Sequence, residues 1–190
     1  MVVVADHDPE WASAFGSESD RVAAALGTTA VAIEHIGSTA VPGLAAKPII
    51  DLMVGLRSLA EADPCVRALS EIGYRRSPEG DFDGRVFLRR VGDDGAATHH
   101  LSLTEHDGAY WSDQLAFRDA LRADPDLRAR YGALKRTLAA EHEEPVAYTH
   151  AKTDLIREVL RSVGHTPRSG WAAESDVTFP SRPASSGGDD

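Results

Sequence analysis

Apolar positions along this chain follow two periods, helical at both ends and strand-like in the middle. The first helical stretch runs from Asp8 to Leu26. Asp8-Pro9 supplies a start signal, and Trp11, Phe15, Val22 and Leu26 fall on one face. Strands are predicted near residues 31–36 and 49–56. The second is an unbroken apolar run, the pattern of a strand buried on both faces. Leu59, Ala62, Val66 and Leu69 predict a helix over 58–72, with Gly73 as its C-terminal cap. Three short strands follow, near 74–76, 85–90 and 98–104. They are separated by Pro78-Glu79-Gly80-Asp81 and Gly92-Asp93-Asp94-Gly95, short enough to predict antiparallel pairing. Helices are predicted over 110–122, over 125–141 with Leu127, Tyr131, Leu134 and Leu138 on one stripe, and over 146–163 with Tyr148, Ile156, Val159 and Leu160 facing the core. Beyond Gly164 the period stops. Residues 165–190, rich in Ser, Pro, Gly and Asp, read as a disordered tail after one domain spanning 1–164.

Composition narrows the class. The chain has 190 residues, enough for a core that needs no disulfide or structural metal. Its single cysteine, Cys65, cannot form an internal disulfide and reads as a buried, inert thiol. A formal charge of −10 argues against broad nucleic-acid binding or an anionic membrane surface, though a local basic pocket remains compatible. The first residues lack the features of a signal segment, and no apolar run reaches the ~20 residues of a membrane span. The expected location is cytoplasmic.

Candidate chemistry concentrates in Ile33–Val54. A strand leads into Gly37-Ser38, a small-residue loop, Lys47, and a second strand carrying Asp51. Glycine permits close backbone approach, and clustered N–H groups with a serine hydroxyl suit a phosphate. The same pair would also serve as a plain strand-end turn. An acid in an apolar strand needs a partner, a metal or a ligand. Asp51 is therefore a candidate catalytic or metal-binding residue, with pairing to Lys47 as the alternative. Strand alternation puts Met53, not a second acid, on the face of Asp51. His100 and Ser102 share one strand face, and His100 is a candidate acid or base. His99 points the other way, toward solvent, and His35 reads as a structural hydrogen-bonding residue. The candidate cations are Lys47, Arg89, Arg118 and Lys152. Tyr148 lies four residues before Lys152, on the same helical face. Cations converging on one cleft would neutralise phosphates. Ion pairs such as Arg118 with Asp119 or Lys152 with Asp154 are the alternative.

The long segment Glu34–Asp51, with Thr98-His99-His100-Leu101, Leu115–Arg122 and Tyr148–Ile156, resembles the GrpB-like proteins. These are small bacterial members of the nucleotidyltransferase-like superfamily, some of them fused to dephospho-CoA kinase. The resemblance spans about Val2 to Val163. It implies an α/β (α+β) fold, a nucleotidyltransferase-like mixed sheet flanked by helices, with a helical C-terminal half. It further implies that Gly37 and Ser38 hold a nucleotide or related phosphorylated metabolite and that Asp51 holds Mg²⁺. Lys47, Arg118, Tyr148 and Lys152 would then contact substrate, with His100 assisting catalysis. Two positions depart from the pattern: Met53 stands at the second acid, and Ser102 replaces a second histidine. The implied activities are nucleotidyl transfer or ATP-dependent ligation. A catalytically reduced module binding a nucleotide or CoA-related ligand, or a protein-interaction domain, is the alternative.

Overall fold

Residues 4–141 and 152–166 are described by the computed structural model. Five strands form one sheet: β1 (Ala32–Ile36), β2 (Ile50–Leu56), β3 (Arg75–Arg76), β4 (Val86–Val91) and β5 (Ala97–Glu105), in the order β1-β2-β5-β4-β3. β2 pairs antiparallel with β1 and parallel with β5, and β5-β4-β3 are antiparallel, as the short turns predict. The β4–β5 ladder has an irregularity between Arg90 and Val91, beside the Gly92–Gly95 turn. The helices are α1 (Glu10–Leu26), α2 (Ala62–Glu71), α3 (Ala109–Ala123), α4 (Pro125–Glu141) and α5 (Thr153–Ser162). None is long and apolar enough to cross a membrane among the described residues. The expected tail, from residue 167 onward, and the first six residues of the expected last helix, 146–151, lie outside the described residues.

Local signals account for several boundaries. The Asp8 carboxylate accepts from Glu10 N–H at 2.9 Å, capping α1 just ahead of its first turn. At the end of α2, Gly73 sits at φ +95°, its N–H donates to Ser70 O, and Tyr74 N–H donates to Leu69 O. That bond pair is a Schellman ending, and it requires the glycine.

Alternation along β2 divides the core. Ile50, Leu52, Val54 and Leu56 pack with Trp11, Val22, Leu26, Cys65 and Leu69, on the side covered by α1 and α2. Met53 packs on the other side with Tyr110, Trp111, Leu121, Ile156 and Leu160, under α3 and α5. Cys65 is buried as expected, and burial pushes its thiol pKa up.

Beneath α1 lies a polar network that the helical pattern did not reveal. Glu18 is 3% exposed. It accepts from Tyr74 Oη at 2.9 Å and pairs with Arg21 at 2.7 Å and Arg90 at 3.2 Å. Arg90 also bonds His99 Nδ1 at 3.0 Å. His99 is therefore half-buried rather than solvent-facing, and burial together with Arg90 lowers its pKa to about 4. Glu18→Ala would leave a phenol and two guanidinium groups without their shared acceptor. The expected loss is about 3 kcal/mol in urea unfolding, and a loss below about 1 kcal/mol would show the network to be dispensable.

Candidate functional site

The sheet register builds the site. Asp51 stands near the start of β2, opposite Ile36 of β1 and beside His100 of β5. The chain leaves β1 through Gly37 directly into a 3₁₀ turn, Ser38–Ala40. Gly37 adopts φ +70° and ψ −170°, a region essentially closed to side-chain-bearing residues. A Cβ there would lie 2.3 Å from Asp51 Oδ2. The glycine therefore lets the carboxylate lie against the backbone of the turn.

Gly37, Ser38, Asp51 and His100 line one cavity of about 40 Å³. The Asp51 side chain remains 20% exposed, so apolar packing does not seal it. Its Oδ1 lies 3.1 Å from His100 Nδ1. A carboxylate only accepts, so Nδ1 donates, leaving Nε2 as an acceptor in the neutral ring. Ser102, two residues along the same strand face, lines the cavity too.

The turn is fixed from two sides. Arg118 donates to Glu34 Oε2 at 2.6 Å, to His35 O at 3.0 Å and to Asp119 at 2.8 Å. Arg122 donates to Ala40 O at 2.8 and 3.0 Å. Arg118 is absent from the cavity lining, so the structure gives this sequence candidate a clamping position, tying α3 to β1. His35 stacks on Phe15, with ring centroids 4.5 Å apart, and bonds Thr39 Oγ1 at 3.0 Å. Thr39 gives its hydrogen to Ile49 O, so His35 Nε2 donates. Burial lowers the His35 pKa to about 4, against the pull of Asp51, and keeps the ring neutral.

Three lysines feel the charge of Asp51, although, like Arg118, none of them lines the cavity. Burial lowers the Lys47 pKa to about 8. Lys135 of α4 is 2% exposed and donates to Ala45 O. Burial, then the neighbouring Arg136, lowers its pKa to about 7. Lys152, just before α5, is 1% exposed. Its pKa lies well below the ordinary value through burial and the charges of Lys47 and Lys135, with Asp51 opposing the shift. The sequence singled out Lys47 and Lys152. Lys135 escaped notice, although it falls four residues after Tyr131 on an apolar stripe, a position where a lysine is unusual. Gln114 was missed as well. It lies four residues after Tyr110 and three after Trp111, on the buried face of α3, and it lines the cavity. Arg89 pairs with His100 across the β4–β5 ladder. Tyr148 lies outside the described residues.

Mg²⁺ binds through several hard oxygens in near-octahedral geometry. Among the described residues no three His, Cys, Asp or Glu side chains form a metal-holding group. Asp51 is already bonded to His100, Met53 is fully buried in apolar packing, and three lysines share the neighbourhood. This donor set does not fit a resident divalent cation. What the cavity does present is the Gly37–Ser38 turn, the hydroxyls of Ser38, Ser102 and Tyr110, and the Asp51–His100 pair.

Comparison with known proteins places this arrangement in context. The family model described as "GrpB protein" matches residues 1–162. The chain is 31% identical over 166 residues to the glutamate-rich protein GrpB of Alkalihalophilus pseudofirmus, covering 85% of this chain and 95% of that one. It is 34% identical over 152 residues to the UPF0157 protein YqkA of Bacillus subtilis, covering 80% of this chain but only 44% of the relative's length. A protein named dephospho-CoA kinase from Mycolicibacterium paratuberculosis is 32% identical over 191 residues, with 86% of this chain and 46% of that protein covered. The crystal structure of the conserved protein GrpB from Enterococcus faecalis superposes with a TM-score of 0.77 at 33% identity, covering 84% of this chain and 96% of that one. By sequence and by fold alike, this chain belongs to the GrpB family.

Proposed function

We propose that this chain binds a phosphorylated small molecule, a nucleotide or a CoA-related compound, and that its phosphate is held by the protein's own hydrogen-bond donors without a resident metal. The observation that carries this reading is the convergence of Gly37, Ser38, Asp51 and His100 on one cavity. Lys47, Lys135 and Lys152 do not line it and act on it only through the field they share with Asp51. A volume of about 40 Å³ suits a phosphoryl-sized end group, since whole small-molecule sites run to several hundred Å³. The rest of such a ligand would extend out of the cavity. CoA-related probes are reasonable because two relatives carry the name dephospho-CoA kinase.

Nucleotidyl transfer or ligation is the second reading, and His100 favours it. With Nδ1 on Asp51, the neutral ring keeps Nε2 as an acceptor, the chemistry needed to take a proton from a ligand hydroxyl. The single carboxylate favours binding over metal-dependent transfer.

Calorimetry with ATP, CoA, dephospho-CoA and inorganic phosphate, in EDTA and in Mg²⁺, tests both. Binding in EDTA is expected, and Ser38→Ala should weaken it about tenfold, the worth of one hydrogen bond to a charged acceptor. Binding that requires Mg²⁺, or no binding of any probe, overturns the proposal. Turnover of ATP lost in His100→Ala, with binding retained, would establish the transfer reading.

A further inference from the structure

Two consecutive buried polar residues on α3 are treated differently by the fold. Asp113, 4% exposed, pairs with His165 at 2.7 Å. Gln114, 5% exposed, lines the cavity, and its Nε2 has no hydrogen-bond partner. Among the described residues only one other buried side-chain atom shares that condition, Thr153 Oγ1. A buried amide left without an acceptor is destabilising, and native interiors seldom retain one. Here the residue that carries the orphan donor lines the cavity that also holds Ser38 and Asp51.

The neighbouring groups define what would satisfy it. Arg85 donates to Tyr110 Oη at 3.3 Å, which leaves the phenol hydrogen for another acceptor. Tyr110 and Ser102 line the same cavity, as does Ser38. Beside the Asp51 carboxylate, the wall therefore offers the hydroxyls of Ser38, Ser102 and Tyr110, which can donate to a ligand oxygen with several lone pairs. We infer that Gln114 is a ligand-recognition residue, its carboxamide donating to a phosphoryl oxygen of the bound molecule together with Ser38 and Tyr110. This rests on the phosphorylated-ligand reading above and adds the residue that selects the buried end of that ligand. An amide donor, unlike a lysine, imposes a direction as well as an attraction, so it discriminates by geometry.

The test compares wild type with Gln114→Met and Gln114→Glu, using inorganic phosphate, ATP and CoA as calorimetric probes and urea unfolding without ligand. Methionine fills similar space without an unsatisfied amide. Its urea midpoint is expected to equal or exceed that of wild type, while probe affinity falls about 10- to 100-fold. Glutamate, nearly the same shape but bearing a negative acceptor, should weaken binding at least as much. A Gln114→Met midpoint clearly below wild type would assign the residue to packing and overturn the inference. Equal probe affinity in wild type and Gln114→Met would also overturn it, leaving the phosphate reading in place. Failure of wild type to bind any of the three probes would remove both.

Discussion

Gly37→Ala is expected to destabilise the chain by about 3 kcal/mol and to abolish binding at the turn. Two separate effects add. The backbone at φ +70°, ψ −170° costs about 1–3 kcal/mol for a residue with a Cβ. The new methyl group would also meet Asp51 Oδ2 at 2.3 Å and Cγ at 2.9 Å, distances at which one group must move. The carboxylate is held by His100, so moving it breaks the pair that gives the cavity its polarity. Urea unfolding of Gly37→Ala, Asp51→Ala and the double variant separates the two terms. The double variant should recover the carboxylate clash, giving a coupling of at least about 1 kcal/mol, but not the backbone strain. Strict additivity would show that Asp51 and Gly37 do not press on each other.

A second large effect is expected at Lys135, and its size depends on pH. Its pKa falls from 10.5 to about 7 in the folded chain, through burial and the neighbouring Arg136 and Lys47, with Asp51 opposing. Between about pH 7 and 10.5 the unfolded chain therefore binds more protons at this position, and stability rises with pH across that window. Below about pH 7 both states are protonated and the penalty stands in full. Above 10.5 it vanishes. Lys47, lowered to about 8, acts in the same direction. Lys135→Met should raise stability at pH 7 by about 1–3 kcal/mol, the usual result of replacing a buried charge with an apolar side chain. The advantage should shrink by pH 9.5, where the wild-type amine is largely neutral and still donates to Ala45 O. Urea titrations at the two pH values decide the matter, and a difference independent of pH would show that Lys135 carries no desolvated charge. A lysine that weakens the fold in this way is the trade-off expected where a site is shaped for binding.

Much of this architecture was legible in the residues. Helical periods, one unbroken apolar run and the turn signals between short strands located the described strands and helices, because tertiary packing here agrees with local propensity. The Schellman glycine at 73 and the Asp8 cap fell where their chemistry demands. Gly37, Ser38, Asp51 and His100 were separable in sequence yet meet in one cavity, because β2 pairs with both β1 and β5. What escaped were side chains whose role depends on depth. Nothing in the spacing of α1 marks Glu18 as the acid that Tyr74, Arg21 and Arg90 close over. His99 appeared outward-facing because alternation gives a face but not what covers it. Arg118, which the motif suggested for a ligand, clamps Glu34 and pairs with Asp119, the alternative its neighbours offered, while no helix pattern marked Lys135 or Gln114.

The irregularity between Arg90 and Val91 lies between the Gly92–Gly95 hairpin tip and the pairing of Arg89 with His100. Regular alternation would transmit any added or deleted residue straight down both strands, exchanging His99 for His100 beside Asp51. A ladder already out of step at that point can take up the slack locally. The tip is thus an insulated location, suited to carrying a fluorophore or an affinity tag without retuning the histidine that meets the aspartate.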